Sequence, residues 1–261
     1  WFGKNTNILT PSLGSWVFLG QVVTDLELEP DRPLKKTCGS CVRCIDACPT
    51  GAIIAPYVID NARCISHLTI ENRGEIPKAL RPLIGDWVFG CDICQDVCPV
   101  NHKTPPSPTL WSKNEIRQIQ KEGMEVPQSN GEQHSPAVEQ APNPVSQERI
   151  TTLDLIDLLE MTEDTYRLRL RGTPILRAKR AGLQRNACVA LGNKGDTVAV
   201  PALRQALIVG ESLVRRHAAW ALGRIGGIEA REALNQAQDN EGDEGVLGEI
   251  GQALTGLNQS N

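Results

Sequence analysis

Eight cysteines crowded into one short stretch constrain this chain more than any other feature. They fall between Cys38 and Cys98, and only Cys188 lies elsewhere. Small secreted domains spread cysteines through the chain as disulfide staples, whereas chains in reducing compartments use them to hold metal. The 261 residues are 40% hydrophobic, enough for a core without staples, and no charged-then-apolar leader precedes the cysteines. The eight are therefore read as metal ligands in a cytoplasmic protein. No membrane span is expected. The most apolar stretch, residues 16–23, contains Gly20 and Gln21 and is far shorter than the ~20 residues a bilayer requires.

The spacing narrows the metal group. It runs Cys38-x2-Cys41-x2-Cys44-x3-Cys48-Pro49, then Cys64, then Cys91-x2-Cys94-x3-Cys98-Pro99. The first run has the bacterial ferredoxin spacing, in which three close thiolates wrap one iron-sulfur cubane and the fourth, beside proline, reaches the other. Two-residue gaps curl successive sulfurs round one face of the cube, and the three-residue gap starts a helical turn that carries the last sulfur away. The second run lacks its first member, and Cys64 is the cysteine left to fill that place. Crossed ligation then assigns Cys38, Cys41, Cys44 and Cys98 to one 4Fe-4S cluster, and Cys48, Cys64, Cys91 and Cys94 to the other. Two four-cysteine zinc sites are the competing reading, but zinc ribbons keep two separate knuckles rather than one dense run. Two clusters this close suit electron transfer better than a purely structural role. Cys188, among Ala, Val and Leu, is read as a buried apolar residue.

Composition divides the chain into four stretches. Residues 1–36 mix turn signals with the apolar run 16–23, read as a buried strand or short helix, and with an alternating strand-like edge at 24–30. Residues 37–103 form the two-cluster module, with small strands expected at 52–54 and 57–59. Residues 104–149 are a Pro-rich connector holding one helix at 110–122. Residues 150–261 are helical and repeat. A shift of 31 residues lays Arg185-Asn-Ala-Cys-Val-Ala-Leu-Gly192 on Arg216-His-Ala-Ala-Trp-Ala-Leu-Gly223, and Ala202-Leu203 on Ala233-Leu234. Such helical hairpins cannot bury their apolar stripes alone and so stack, as HEAT-like repeats do. A weaker third copy ending at Ala253-Leu254 caps the stack. The fold class is α+β, a ferredoxin-like two-cluster module followed by an all-α HEAT-like domain. With only 4% aromatic residues, its core must rest on Leu, Ile, Val and Ala.

Charge is segregated. Residues 165–224 hold twelve Lys and Arg against Asp196 and Glu211, in a chain whose net charge is −4. A helical stack can present such residues along one face suited to a phosphate backbone, and Arg177, Lys179, Arg180, Arg185, Arg215 and Arg216 are the candidate contacts. A solvated helix surface is the plainer reading of a charge run, but this segment has almost no acids of its own to pair with. Trp220 is read as core. The four histidines sit in unrelated contexts, and no P-loop, dinucleotide fingerprint or nucleophile elbow is present.

Around the cysteines stand Phe2-Gly-Lys-Asn-Thr-Asn7, Gly14-Ser-Trp-Val-Phe-Leu-Gly20, Gly172-Thr-Pro-Ile175 and Arg185-Asn-Ala-Cys-Val-Ala-Leu-Gly-Asn193. With the cluster module, these segments resemble the epoxyqueuosine reductase family. The resemblance implies a cobalamin-dependent enzyme reducing epoxyqueuosine in tRNA to queuosine, fed by an electron donor protein and working as a monomer. It also implies that residues 1–36 are the C-terminal remnant of a cobalamin-binding domain, and that the family's proton-donating aspartate lies upstream of Trp1, leaving no catalytic residue to assign here. Gly14, Ser15, Ser66, Thr69 and Glu71 are the expected cobalamin contacts. The competing functions are a non-catalytic two-cluster electron carrier whose repeats bind protein, and a related cobalamin enzyme such as a reductive dehalogenase.

Overall fold

A computed structural model describes residues 1–32, 34–103 and 152–259. The connector at 104–149 and its helix at 110–122 lie outside the described residues. Each cysteine loop of the cluster module runs into a four-residue helix, α1 (Arg43–Asp46) or α4 (Ile93–Asp96), and then a Cys-Pro step. The bonds Cys48 N to Ile45 O and Gly51 N to Cys48 O recur as Cys98 N to Gln95 O and Asn101 N to Cys98 O. The three-residue gap thus starts a helical turn in both halves. Between them, β1 (Ile53–Ala55) and β2 (Val58–Ile59) pair antiparallel, Ile53 with Ile59 and Ala55 with Val58. Two further short helices follow, α2 (Ile65–Ile70), which begins directly after Cys64, and α3 (Arg81–Ile84).

The second half is helical. Helices α5 (Thr152–Glu160) and α6 (Glu163–Leu170) lead into two hairpins. These are α7 (Arg180–Lys194) with α8 (Val200–Val209), and α9 (Ser212–Ile225) with α10 (Gly227–Asn240). Helix α11 (Glu244–Gln259) packs on α9 and α10, where the third copy is expected. The main core is built from small and aliphatic residues such as Ala187, Leu191, Leu203, Ala218, Leu222, Leu234 and Ile250. Cys188 is fully buried within it.

Module and repeats are not separate bodies. Val189 of α7 shares a core with Ile65, Leu68, Ile76 and Ile84, and Trp220 of α9 packs against both that core and the main one. The N-terminal expectation is corrected. Residues 16–23 form neither strand nor helix, and 24–30 form no strand edge. Val22 and Val23 are 90% and 100% exposed, because the described residues offer this apolar run no surface to pack against. Among the described residues, no helix is long and apolar enough to cross a membrane.

Candidate iron-sulfur centre

Cys38, Cys41, Cys44 and Cys98 line one cavity, together with Lys4, Asn5 and Arg43. Burial raises the Cys44 thiol, and the neighbouring Cys38, Cys41 and Cys98 push it the same way. Burial carries Cys91 to about 11, with Cys64 and Cys48 among the charges adding to it. Cys94, pushed to about 12, is raised by burial first, then by Cys91, Cys44 and Cys64. Cys38, Cys41, Cys44 and Cys98 thus share one cavity, and Cys94 feels the charge of Cys44 as well as that of Cys91 and Cys64.

Sulfur acceptors in the second set receive donors from the chain. Ala52 N–H donates to Cys48 Sγ at 3.3 Å and Asn7 Nδ2 to Cys94 Sγ at 3.8 Å, while Thr50 Oγ1 lies 3.7 Å from Cys48 Sγ. Burial would raise the Cys48 thiol, but donors from Thr50, Ala52 and Ile53 outweigh it and hold the thiol below its ordinary value. Among the described residues no three His, Cys, Asp or Glu side chains close on a single-ion position. Cys38, Cys41, Cys44 and Cys98 instead stand around a cavity, the arrangement that a cluster body requires. The half-buried Cys44, Cys91 and Cys94 thiols, raised by desolvation and by neighbouring cysteines, are groups that a cubane's irons would hold as thiolates. The donor set fits two four-iron clusters.

The vacant first position of the second run has an occupant. In the register that lays Cys41, Cys44 and Cys48 on Cys91, Cys94 and Cys98, Cys38 falls on Val88. That valine packs against the main helical core, and its carbonyl accepts from Asn186 Nδ2 at 2.8 Å. A contact with the repeats thus stands where the first run has a sulfur, and Cys64, immediately before α2, is among the charges that raise Cys91.

The repeats grip this second half through α7 and α9. Arg185 is fully buried, and its guanidinium donates to Leu68 O at 2.6 Å, Asn72 O at 2.9 Å, Gly74 O at 2.6 Å and Asn186 Oδ1. Asn186 Nδ2 also reaches Thr69 O, and Asn193 Nδ2 reaches Arg81 O and Gly85 O, each at 2.8 Å. On α9, His217 Nε2 accepts from Ile76 N at 3.2 Å, while Nδ1 faces Leu213 O at 2.8 Å. Buried Arg81 pairs with Glu249 of α11 at 2.8 Å. Sequence reasoning missed this clasp because its partners are mostly backbone carbonyls, which no side-chain pattern announces.

The basic face is accordingly corrected. Arg185 is not on a surface at all. Arg177 pairs with Glu71; Arg180 with Glu163 and Glu211; Arg215 with Glu241 at 2.7 Å; and Arg216 with Glu75 and Asp243. The acids missing from the basic segment come mostly from elsewhere in the chain. Of the six candidates, Lys179 alone is exposed without an acidic partner among the described residues.

The five expected cobalamin contacts are largely committed. Ser15 N–H donates to Asn101 Oδ1 at 2.7 Å and its hydroxyl accepts from Asn101 Nδ2 at 2.8 Å, beside Gly14 in a positive-φ turn. Thr69 is fully buried, its hydroxyl donating to Ile65 O and accepting from Gly90 N. Glu71 holds Arg177. Ser66, half-buried, keeps an uncommitted hydroxyl among the described residues. Among those residues no hydrogen bond joins the Gly14–Ser15 pair to the α2 group.

Fold and cysteine geometry together define a two-cluster ferredoxin-type module fused to helical repeats. Family models agree: one described as a 4Fe-4S double cluster binding domain matches residues 37–101, and one of HEAT repeats matches 173–255. The chain is similar over 99% of its length to epoxyqueuosine reductase from Bacillus anthracis, at 36% identity. The Synechocystis epoxyqueuosine reductase is 53% identical over 40% of the chain and 36% of its own length. Among solved structures, epoxyqueuosine reductase from Bacillus subtilis superposes with a TM-score of 0.78 at 31% identity, covering 98% of this chain and 60% of that one. A crystal structure of epoxyqueuosine reductase with a tRNA-Tyr epoxyqueuosine-modified stem loop gives 0.77 at 31% identity, with the same coverage. The resemblance read from the sequence therefore holds along nearly the whole chain, which spans about 60% of the Bacillus anthracis relative.

Proposed function

We propose that this chain is the electron-relay and tRNA-binding part of an epoxyqueuosine reductase. The observation that carries the reading is a double-cluster cysteine module at 37–101 whose segment between Cys64 and Cys91 is clasped by the helical repeats. Cys38, Cys41, Cys44 and Cys98 would hold one 4Fe-4S cluster, and Cys48, Cys64, Cys91 and Cys94 the other. When bound, the clusters supply single electrons at low potential, and opening the epoxide to an alkene and water consumes two electrons and two protons. Asn7, Thr50 and Ala52 direct donors at sulfurs of the second set, and Val88 with α7 fixes the loop that carries Cys91. The domains in this reading are 1–36 the C-terminal remnant of a cobalamin-binding domain, 37–103 the clusters, 104–149 the connector and 150–261 the repeats.

Cobalamin enters this reading from the resemblance. Gly14, Ser15, Ser66, Thr69 and Glu71 do not make a corrin site by themselves, since three of their side chains are spent on protein partners. Ser66 beside Cys64 is the member left to meet it. The supporting partners are an electron donor protein and tRNA, in the reducing cytoplasm, with the chain a monomer. Of the six basic candidates, Lys179 is the foremost phosphate contact.

A two-cluster carrier with protein-binding repeats is the second reading, favoured by the acids that neutralise Arg177, Arg180, Arg215 and Arg216. Filter binding of epoxyqueuosine-containing tRNA at two salt concentrations separates the two. The reductase reading expects affinity that falls steeply with salt, and absent or salt-insensitive binding would sink it. Anaerobically purified protein should contain about eight irons with matching acid-labile sulfide, as two cubanes require.

A further inference from the structure

Lys4 is only 9% exposed, sits among Cys38, Cys41, Cys44 and Cys98 in the lining of the first cavity, and has no carboxylate partner among the described residues. Its Nζ donates to Gly39 O at 2.8 Å, in the loop between Cys38 and Cys41, which leaves two of its three donors uncommitted. The ammonium is placed by backbone rather than by chance of rotamer. Residues 3–7 close a tight loop through Thr6 N to Gly3 O at 2.9 Å and Gly3 N to Asn7 O at 2.8 Å, with Thr6 at φ +63°. Lys4 O accepts from Tyr57 N at 3.0 Å, tying the loop to the turn of the hairpin. The same loop sends Asn5 Nδ2 to Cys94 O and Asn7 Nδ2 to Cys94 Sγ. One loop therefore offers a cation to the first cysteine set and amides to the second.

A buried ammonium is unfavourable unless something negative meets it. Four thiolates around a cubane carry net negative charge, and each electron taken up adds one more. We propose that Lys4 is the counter-charge of the first cluster, stabilising its reduced form and raising its potential. Lys4 acts as a tuning residue through charge alone. The inference rests on the two-cluster reading above. The electron comes from whatever low-potential one-electron reductant serves the chain, and dithionite takes that part in the test.

The experiment is an EPR-monitored redox titration of the anaerobically purified, cluster-loaded chain as wild type, Lys4→Gln and Lys4→Arg. In K4Q one of the two midpoints should move to more negative potential by at least tenfold in the reduced-to-oxidised ratio, about 59 mV for a one-electron couple. The other midpoint should stay, and K4R should restore the first. Unmoved midpoints in K4Q, or a K4R shift as large as that of K4Q, overturn the proposal. If K4Q fails to assemble its clusters, K4R decides: wild-type midpoints support a charge role and a negative shift overturns it. Wild-type protein lacking iron and acid-labile sulfide would remove the cluster reading itself, which distinguishes the two failures.

Discussion

Arg185 carries a charge into the interior with no carboxylate to receive it, and burial lowers its guanidinium to about 10. Its planar fork meets three carbonyls of the cluster module, a geometry that an ammonium on a flexible stem cannot reproduce. Arg185→Lys should therefore destabilise the chain by on the order of 2–4 kcal/mol, since buried acceptors lose charge-assisted bonds. Its lowered melting temperature should accompany an unchanged salt dependence of tRNA binding. In sequence this arginine is indistinguishable from its exposed neighbours, because its three carbonyl partners are more than a hundred residues away. His217 belongs to the same clasp. Burial, reinforced by Arg81, holds its pKa well below the ordinary 6.5, so the neutral ring binds Ile76. An unfolded chain gains a proton there below pH 6.5 and the folded one does not, so stability is full above that value and falls as pH drops beneath it. His217→Gln, which keeps a donor and an acceptor, should flatten that part of the pH dependence in thermal unfolding at pH 7.5 and 5.5.

At the level of helices, the repeats were legible because their period recurs in both members of each hairpin. Two glycines in equivalent positions show what that period encodes. A Cβ on Gly192 would lie 2.7 Å from the Trp220 ring and 2.9 Å from Ala221 Cα, and one on Gly223 would lie 2.6 Å from Ala253 Cβ. These are the close approaches of α7 to α9 and of α9 to α11. Gly192→Ala and Gly223→Ala should each cost about 1–3 kcal/mol from overpacking, despite a helix-propensity gain of about 1 kcal/mol. Gly248→Ala on α11, with nothing within 4 Å, should instead raise the melting temperature slightly. The run at 16–23 was misread for a physical reason. Hydrophobicity states that a segment gains by burial, whereas a strand or helix is held only where a partner surface exists, and none among the described residues is near Val22 or Val23. The two-cluster module was legible because the cysteine spacing is dense and followed by proline in both runs, yet Val88's part was hidden, since a missing cysteine does not say what its replacement touches.

Across the whole molecule, the surplus of basic residues in the repeats turns out to be largely internal bookkeeping. Glu71 and Glu75 of the cluster half meet Arg177 and Arg216 of the repeats, so much of the apparent field is spent joining the two. Removing one of those arginines should alter stability more than tRNA affinity. Lys179→Ala should reduce the slope of log affinity against log salt by about one phosphate's worth while leaving the melting temperature unchanged. Sequence composition could report the segregation of charge but not its cancellation, which depends on folding. The shared core around Val189 and Trp220, with the Arg185 fork across it, also bears on how the polypeptide can be divided. Continuity here is carried by side chains crossing a seam rather than by the covalent thread. Two fragments, 1–103 and 152–261, made together in one cell should find each other and co-purify with their iron, as an enzyme does after a clean nick.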